Sequence, residues 1–404
     1  MDQPRKLPPA WVLGLSNLPL GVSGGLMLFT LPQLLSAAHV PEPRIAQLTT
    51  LFLVPSFLVF LLGPVVDVKF KRRTYAAGAV ILCAVATFLG LVFFNRLEIL
   101  GVLLFFSSLG ATLNAIATGG WFGSIMNKED DAKLGAWLIA ANVGGFGVIT
   151  IVAIVVLRAL PLPLGAALVS APILIPLLIY PRTHAPDPDD RLLHESFARF
   201  LGDLIAIVRQ PKVLQLLLLF AVPAASFALT NTLGGLGRDY HASERWVSWV
   251  GGIGVTIAGL IGSLIIMPIG RRVEARRFYL SVAAIGAVFT LSAILLPHTP
   301  AMFAVIVAGE NVAQSAALAL NYAIALQSLG KDNPFAATQF GLLTNAAALP
   351  ITYMQLLDGQ AYGRGGLAGM YLTDGLCGLG AASLMTLLLW LWSRGKSAPQ
   401  AAAP

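Results

Sequence analysis

Glu310 sits about ten residues into an apolar stretch that runs from Pro300 to Ser328 and contains no Lys or Arg. At membrane depth an ionisable group costs several kcal/mol and persists mainly where it faces a cavity or a partner. A carboxyl group so placed can take up and release a proton, which makes Glu310 a candidate proton-coupling residue. The competing reading is a carboxylic acid held protonated by a hydroxyl or carbonyl of a neighbouring helix. Asp374, two turns into the last apolar stretch in YLTDG, is the second candidate for proton coupling. It can equally cap a broken helix beside Gly375. Asp358, followed by Gly359, reads as an interface or loop acid, and Asp332 in KDNP as a solvated one.

Uncharged polar side chains inside apolar stretches are candidate solute-binding groups. They are Asn17, Asn114, Trp121, Asn142, Asn231, Asn321, Tyr322, Gln339 and Asn345, with Ser23 and Tyr353 beside them. Each has a structural alternative: a hydrogen bond between helices, worth about 0.6 kcal/mol on average. Glycines at 21, 24, 25, 144, 145 and 147 allow close helix approach. Prolines at 19, 32, 55, 223 and 350 permit bends. The string NVGGFG, Asn142 to Gly147, follows no strand and is no nucleotide fingerprint.

The elements that must hold these groups follow from composition. The 404 residues are 57% hydrophobic and 11% charged, with mean hydropathy +0.79. A soluble domain carries about 25% charged residues, so this chain cannot clothe a water-facing surface. Taking about 20 apolar residues per span, twelve spans are read at roughly 10–36, 45–66, 74–95, 97–125, 133–158, 161–180, 212–236, 246–269, 277–296, 300–328, 335–357 and 366–393. Twenty of the 26 Lys and Arg fall in the termini, the central linker and the even-to-odd loops, against six in the opposite loops. That bias places both termini in the cytoplasm. Topology also accounts for the net charge of +7, so no nucleic-acid partner is expected. The N-terminal stretch reads as no cleavable signal. Cys83 and Cys377 both lie in apolar spans, so neither a disulfide framework nor a metal site is indicated.

Between spans two and three stands GPVVDVKFKRRTY, Gly63 to Tyr75, an acid followed by four cations. The figure returns 204 residues later as MPIGRRVEARRFY, Met267 to Tyr279. At that offset Pro19 meets Pro223, Pro64 meets Pro268, Arg72 and Arg73 meet Arg276 and Arg277, and Tyr75 meets Tyr279, while Asp67 meets Arg271. A parallel repeat of six plus six spans is the reading: an N-terminal bundle over 1–180, a linker over 181–211 and a C-terminal bundle over 212–395. Within the linker, Leu193, Phe197, Phe200, Leu201, Leu204 and Val208 share one face, which predicts an amphipathic helix on the membrane surface. Residues 396–404 read as a disordered tail.

A parallel six-plus-six repeat is how the major facilitator superfamily is built, and the Gly63–Tyr75 loop resembles that superfamily's loop 2–3 signature. The resemblance implies a conformational latch at Asp67 with Arg72 or Arg73, and a cavity lined by spans one, four, seven and ten. Pro64, Val68 and Phe70 depart from the signature. A narrower resemblance is to AmpG-type muropeptide permeases and the peptide–acetyl-coenzyme A transporters. LPLGVSGGL (Leu18 to Leu26), GEN (Gly309 to Asn311) and ATQFGLLTNAAAL (Ala337 to Leu349) carry it. In span four, where those permeases are acidic, this chain has ATGGWFGS, Ala117 to Ser124.

The resulting expectation is an all-α secondary active transporter of the cytoplasmic (inner) membrane, not an enzyme. It would be a monomer without metal or cofactor, whose partners are the lipid bilayer, protons and a muropeptide-like solute taken up by symport. A siderophore importer or a drug or metabolite exporter is the alternative within the fold, and a membrane acyltransferase or sensor the alternative outside it. No G-x-x-x-x-G-K-[ST] loop occurs, so an ion or solute gradient must drive transport. The five histidines lie in loops or at span ends, away from any paired acid at depth.

Overall fold

A computed structural model describes residues 7–67, 70–186, 202, 205–231, 233–270, 272–330 and 333–395. Among them there are helices and no strands, and a helix satisfies its backbone hydrogen bonds within itself, as hydrocarbon requires. Nine helical stretches are long and apolar enough to cross a membrane. The chain is therefore a multi-pass membrane protein.

In chain order the elements are α1 (Ala10–Ala37), α2 (Glu42–Asp67), α3 (Arg72–Val92), α4 (Leu97–Ile125), α5 (Asp131–Ala159) and α6 (Leu162–Arg182). After the linker come α7, which begins at Pro211–Ala221, then α8 (Arg245–Ile269), α9 (Ala275–Leu295) and α10 (Pro300–Ser328). The 57-residue stretch Ala336–Trp392 is too long for one crossing. Gly366, with φ +59, breaks it into α11 (336–365) and α12 (367–392).

Two spans differ from the sequence expectation for identifiable reasons. Span seven is α-helical only as far as Ala221, after which the chain continues through 3-10 turns, Pro223–Ala225, Ala228–Asn231 and Leu233–Tyr240. Pro223 lacks an amide hydrogen and drives Val222 to extended backbone, φ −83 and ψ 154. Span eleven does not end at 357. The helix runs on through GQAYGRG to Gly366, because no residue between Asp358 and that glycine removes a backbone donor. The predicted amphipathic linker helix and the tail over 396–404 lie largely outside the described residues.

The halves meet through α2 and α4 with α11, and through α5 with α8 and α10. Their approach is closest at what we term the basic end, where the Arg-rich loops lie. There a Cβ on Gly120 of α4 would stand 2.4 Å from the Ala337 nitrogen, and one on Gly135 of α5 would stand 2.7 Å from the Ala319 carbonyl oxygen. Farther along α5, near its middle, Gly147 meets Thr256 of α8. Apolar packing follows the same division. One buried cluster joins Trp121, Phe122 and Leu134 to Leu320, Leu329 and Phe340 across both halves at the basic end. Towards the opposite end it gives way to two separate clusters, one around Leu26, Leu35 and Leu100, the other around Tyr240, Phe303 and Tyr371. The halves are closed together at the basic end and part towards the other.

Gly120 tests this arrangement. Gly120→Leu would push a side chain into the α11 backbone and should cost the closed form about 1–3 kcal/mol. Spin labels at Asn127 and Arg272, both exposed at the basic end, should then report a longer separation than in the parent protein. An unchanged separation would show that the closure does not depend on the Gly120 contact.

Candidate functional site

Asp67 is the last residue of α2, and its carboxylate is fully buried although it belongs to a loop rich in cations. Arg72 Nε donates to Asp67 Oδ1 at 2.9 Å, with Arg72 Nη2 2.8 Å away. The other partners come from the opposite half of the chain. The Ala337 amide donates to Oδ1 at 3.1 Å, and Thr338 donates to Oδ2 twice, from its amide at 2.9 Å and its hydroxyl at 2.8 Å. Those amides belong to the first turn of α11, where helical N–H groups lack intrahelical acceptors and the macrodipole favours an anion. Arg72 completes the clamp by donating to the carbonyls of Asn333 at 3.1 Å and Pro334 at 2.9 Å. Arg73 takes no part, having no ion pair or side-chain hydrogen bond among the described residues. The expectation of a latch at Asp67 with Arg72 or Arg73 therefore narrows to Arg72.

A second polar cluster lies inside the C-terminal half. Thr290 of α9 donates its hydroxyl to Glu310 Oε1 on α10. Asp358 lies in α11 and Asp374 in α12 of the same half. All three acids are buried. Glu310 Oε2, both Asp358 oxygens and Asp374 Oδ1 have no donor within reach. The reading of Asp358 as a loop acid is thus corrected: it lies inside a helix and is fully buried. Beside this cluster the hydroxyls of Tyr240 and Tyr371 meet at 2.6 Å, joining the end of α7 to α12. No three His, Cys, Asp or Glu side chains converge as a metal site among the described residues.

The uncharged candidates divide into three sets. Asn17 and Asn114 knit the N-terminal half: Asn17 Nδ2 donates to the Leu138 carbonyl at 3.0 Å, Asn114 Nδ2 donates to the Ser16 carbonyl at 2.7 Å, and Tyr180 donates to Asn114 Oδ1. Tyr322 of α10 sets its ring edge-on to Phe340 of α11 at 5.3 Å. A second set belongs to the basic end. Trp121 donates to the His184 carbonyl at 2.7 Å, and Gln339 donates to Ser328 Oγ at 3.1 Å while accepting from Asn333 at 2.7 Å. Asn321 Nδ2 reaches the Leu343 carbonyl at 3.5 Å and its Oδ1 is buried without a donor. The third set makes no tie between helices: Asn345 donates to Gly341 in its own helix, Asn142 is half-buried without a side-chain hydrogen bond, and Asn231 is exposed. Sequence reasoning missed Gln314, one turn beyond Glu310, which donates to Thr230 Oγ1 at 2.6 Å and so fixes α10 to the broken α7.

No protein-family model matches the chain. No curated protein matches it in sequence. Solved structures do match it in fold. The bacterial homologue of the iron transporter ferroportin, in an outward-facing state, superposes with a TM-score of 0.67 at 16% identity, over 96% of this chain and 100% of that one. The fucose:proton symporter FucP of E. coli superposes at 0.71 with 14% identity, over 94% and 98%. The human organic anion transporter MFSD10 superposes at 0.69 with 15% identity, over 94% and 100%. At such identities the likeness establishes the fold. The AmpG-type resemblance gains no support from these matches.

Proposed function

We propose that this chain, with its major facilitator fold, is a secondary active transporter that works by alternating access. The observation that carries the reading is the Asp67–Arg72 clamp on the first turn of α11. A buried carboxylate reaching across the halves to three donors is a releasable bond between two moving bodies, here residues 1–180 and 212–395. With the basic loops in the cytoplasm, both termini lie there, and closure of the basic end is the outward-facing state. Binding groups for the solute would come from the seam between the halves, Asn17, Tyr322 and Asn142 foremost. These are amides and a phenol, which suit a medium-sized polar organic solute such as a muropeptide or a siderophore. Protons would enter the cycle through Glu310 and Asp374, now with Asp358, because these acids are buried without a cation partner among the described residues. We place the protein in the inner membrane as a monomer acting without a cofactor.

Uptake by reconstituted vesicles tests the reading directly. A saturable flux of labelled muropeptide or siderophore should follow an imposed pH gradient and collapse when an ionophore dissipates it. Chemical conversion of the solute without its accumulation would overturn the transporter assignment in favour of a membrane enzyme.

A further inference from the structure

The second copy of the basic loop is left without a task by the clamp. Asp67 has Arg271 as its counterpart, so the arginines at 276 and 277 have no acid at the equivalent position of their own half. Instead they open onto a groove of about 730 Å³ at the basic end, between the starts of α7 and α9 and the end of α12. Arg277 Nε pairs with Glu274 Oε2 at 3.2 Å, and both are exposed. Arg276 is half-buried and makes no ion pair or side-chain hydrogen bond among the described residues. A guanidinium withdrawn from water without an anion is a poor bargain unless a ligand supplies one. Gln215 of α7 and Ser281 of α9 add neutral donors. Trp390 and Trp392 of α12 line the rim, the residue type that settles at the headgroup level of a bilayer.

A second groove, of about 490 Å³, shares Ala284, Thr386 and Trp390 with the first and continues along α12 over Ala382 and Leu387. Its walls are apolar, and the neighbouring Ile285 and Leu384 are exposed. A cationic pocket that runs into an apolar track along the helix axis matches an amphiphile with an anionic head. We propose that the α7–α9–α12 face binds an anionic phospholipid. Arg276 would hold the phosphodiester, Arg277 would sit at the margin with Glu274, and one acyl chain would lie along α12. Position fits as well: the site is on the outer face of the C-terminal half, away from the seam, so a lipid could stay bound through the cycle. The inference depends on the membrane assignment alone and stands apart from the proposed transport mechanism.

Native mass spectrometry of the purified full chain tests it, with phosphatidylglycerol and phosphatidylcholine offered at equal concentration. The parent protein should retain phosphatidylglycerol preferentially. Arg276→Gln should weaken that retention about fivefold, the effect of one cation near an anionic headgroup. Arg158→Gln, exposed at the opposite end of α5, should leave it unchanged. A thermal-shift pair guards against misfolding: in phosphatidylcholine the Arg276→Gln protein should melt with the parent, while losing the increment that phosphatidylglycerol gives the parent. Soluble glycerol phosphate should not reproduce that increment. Equal retention of the two lipids, an unaltered preference in Arg276→Gln, or full replacement of the lipid by glycerol phosphate would each overturn the proposal.

Discussion

Asp67→Asn is expected to shift the balance between closed and open basic ends by on the order of 100-fold. Breaking a buried ion pair by removing one partner costs about 3–5 kcal/mol. Only the part that differs between the two states moves the equilibrium, and Arg72 keeps its bonds to the Asn333 and Pro334 carbonyls. Taking about 3 kcal/mol as the differential gives the stated shift. Asparagine would also turn a donor towards the Ala337 and Thr338 amides, which need acceptors. Labels at Asn127 and Arg272 should separate, turnover should slow, and equilibrium binding of solute should survive. An unaltered distance distribution together with an unaltered rate would refute the clamp as a gate.

The other large effect concerns Glu310. Each coupled proton lets one pH unit of gradient, 1.36 kcal/mol, sustain about tenfold accumulation. In Glu310→Gln that ratio should fall to about one, with counterflow exchange retained. Glutamine is close in shape and still offers an oxygen to the Thr290 hydroxyl, so the fold should hold. If accumulation persists at the parent level, Glu310 is a structural acid and coupling must be sought at Asp358 and Asp374.

The all-helical membrane-spanning fold could be read from apolar run length. What Asp67 holds could not. Its acceptors are answered by backbone amides 270 and 271 positions away, and an amide carries no sequence signature until a helix start exposes it. Two stretches singled out for separate reasons, the basic loop and ATQF, prove to be the two sides of one contact. Asp358 was misplaced because GQAYGRGG resembles a loop, whereas in hydrocarbon the cheapest course for that backbone is to remain helical. Polarity flagged Asn17, Asn114 and Asn142 alike; spans apolar on every side give no phase to tell which face points to the seam.

α11 carries both the amides that Asp67 grips, at 337 and 338, and, about twenty residues on, Asp358. At 1.5 Å per residue those points are roughly 31 Å apart along α11, which turns at Ala347 just before Pro350. Under the proposed scheme, that shared rod makes gate and proton site two loads on a single beam, and linkage then obliges them to answer one another equally. Whatever factor protonation contributes to releasing the clamp, release of the clamp must return to proton affinity. The handedness of transport would thus be written into the stiffness of one helix as much as into the acids at its end.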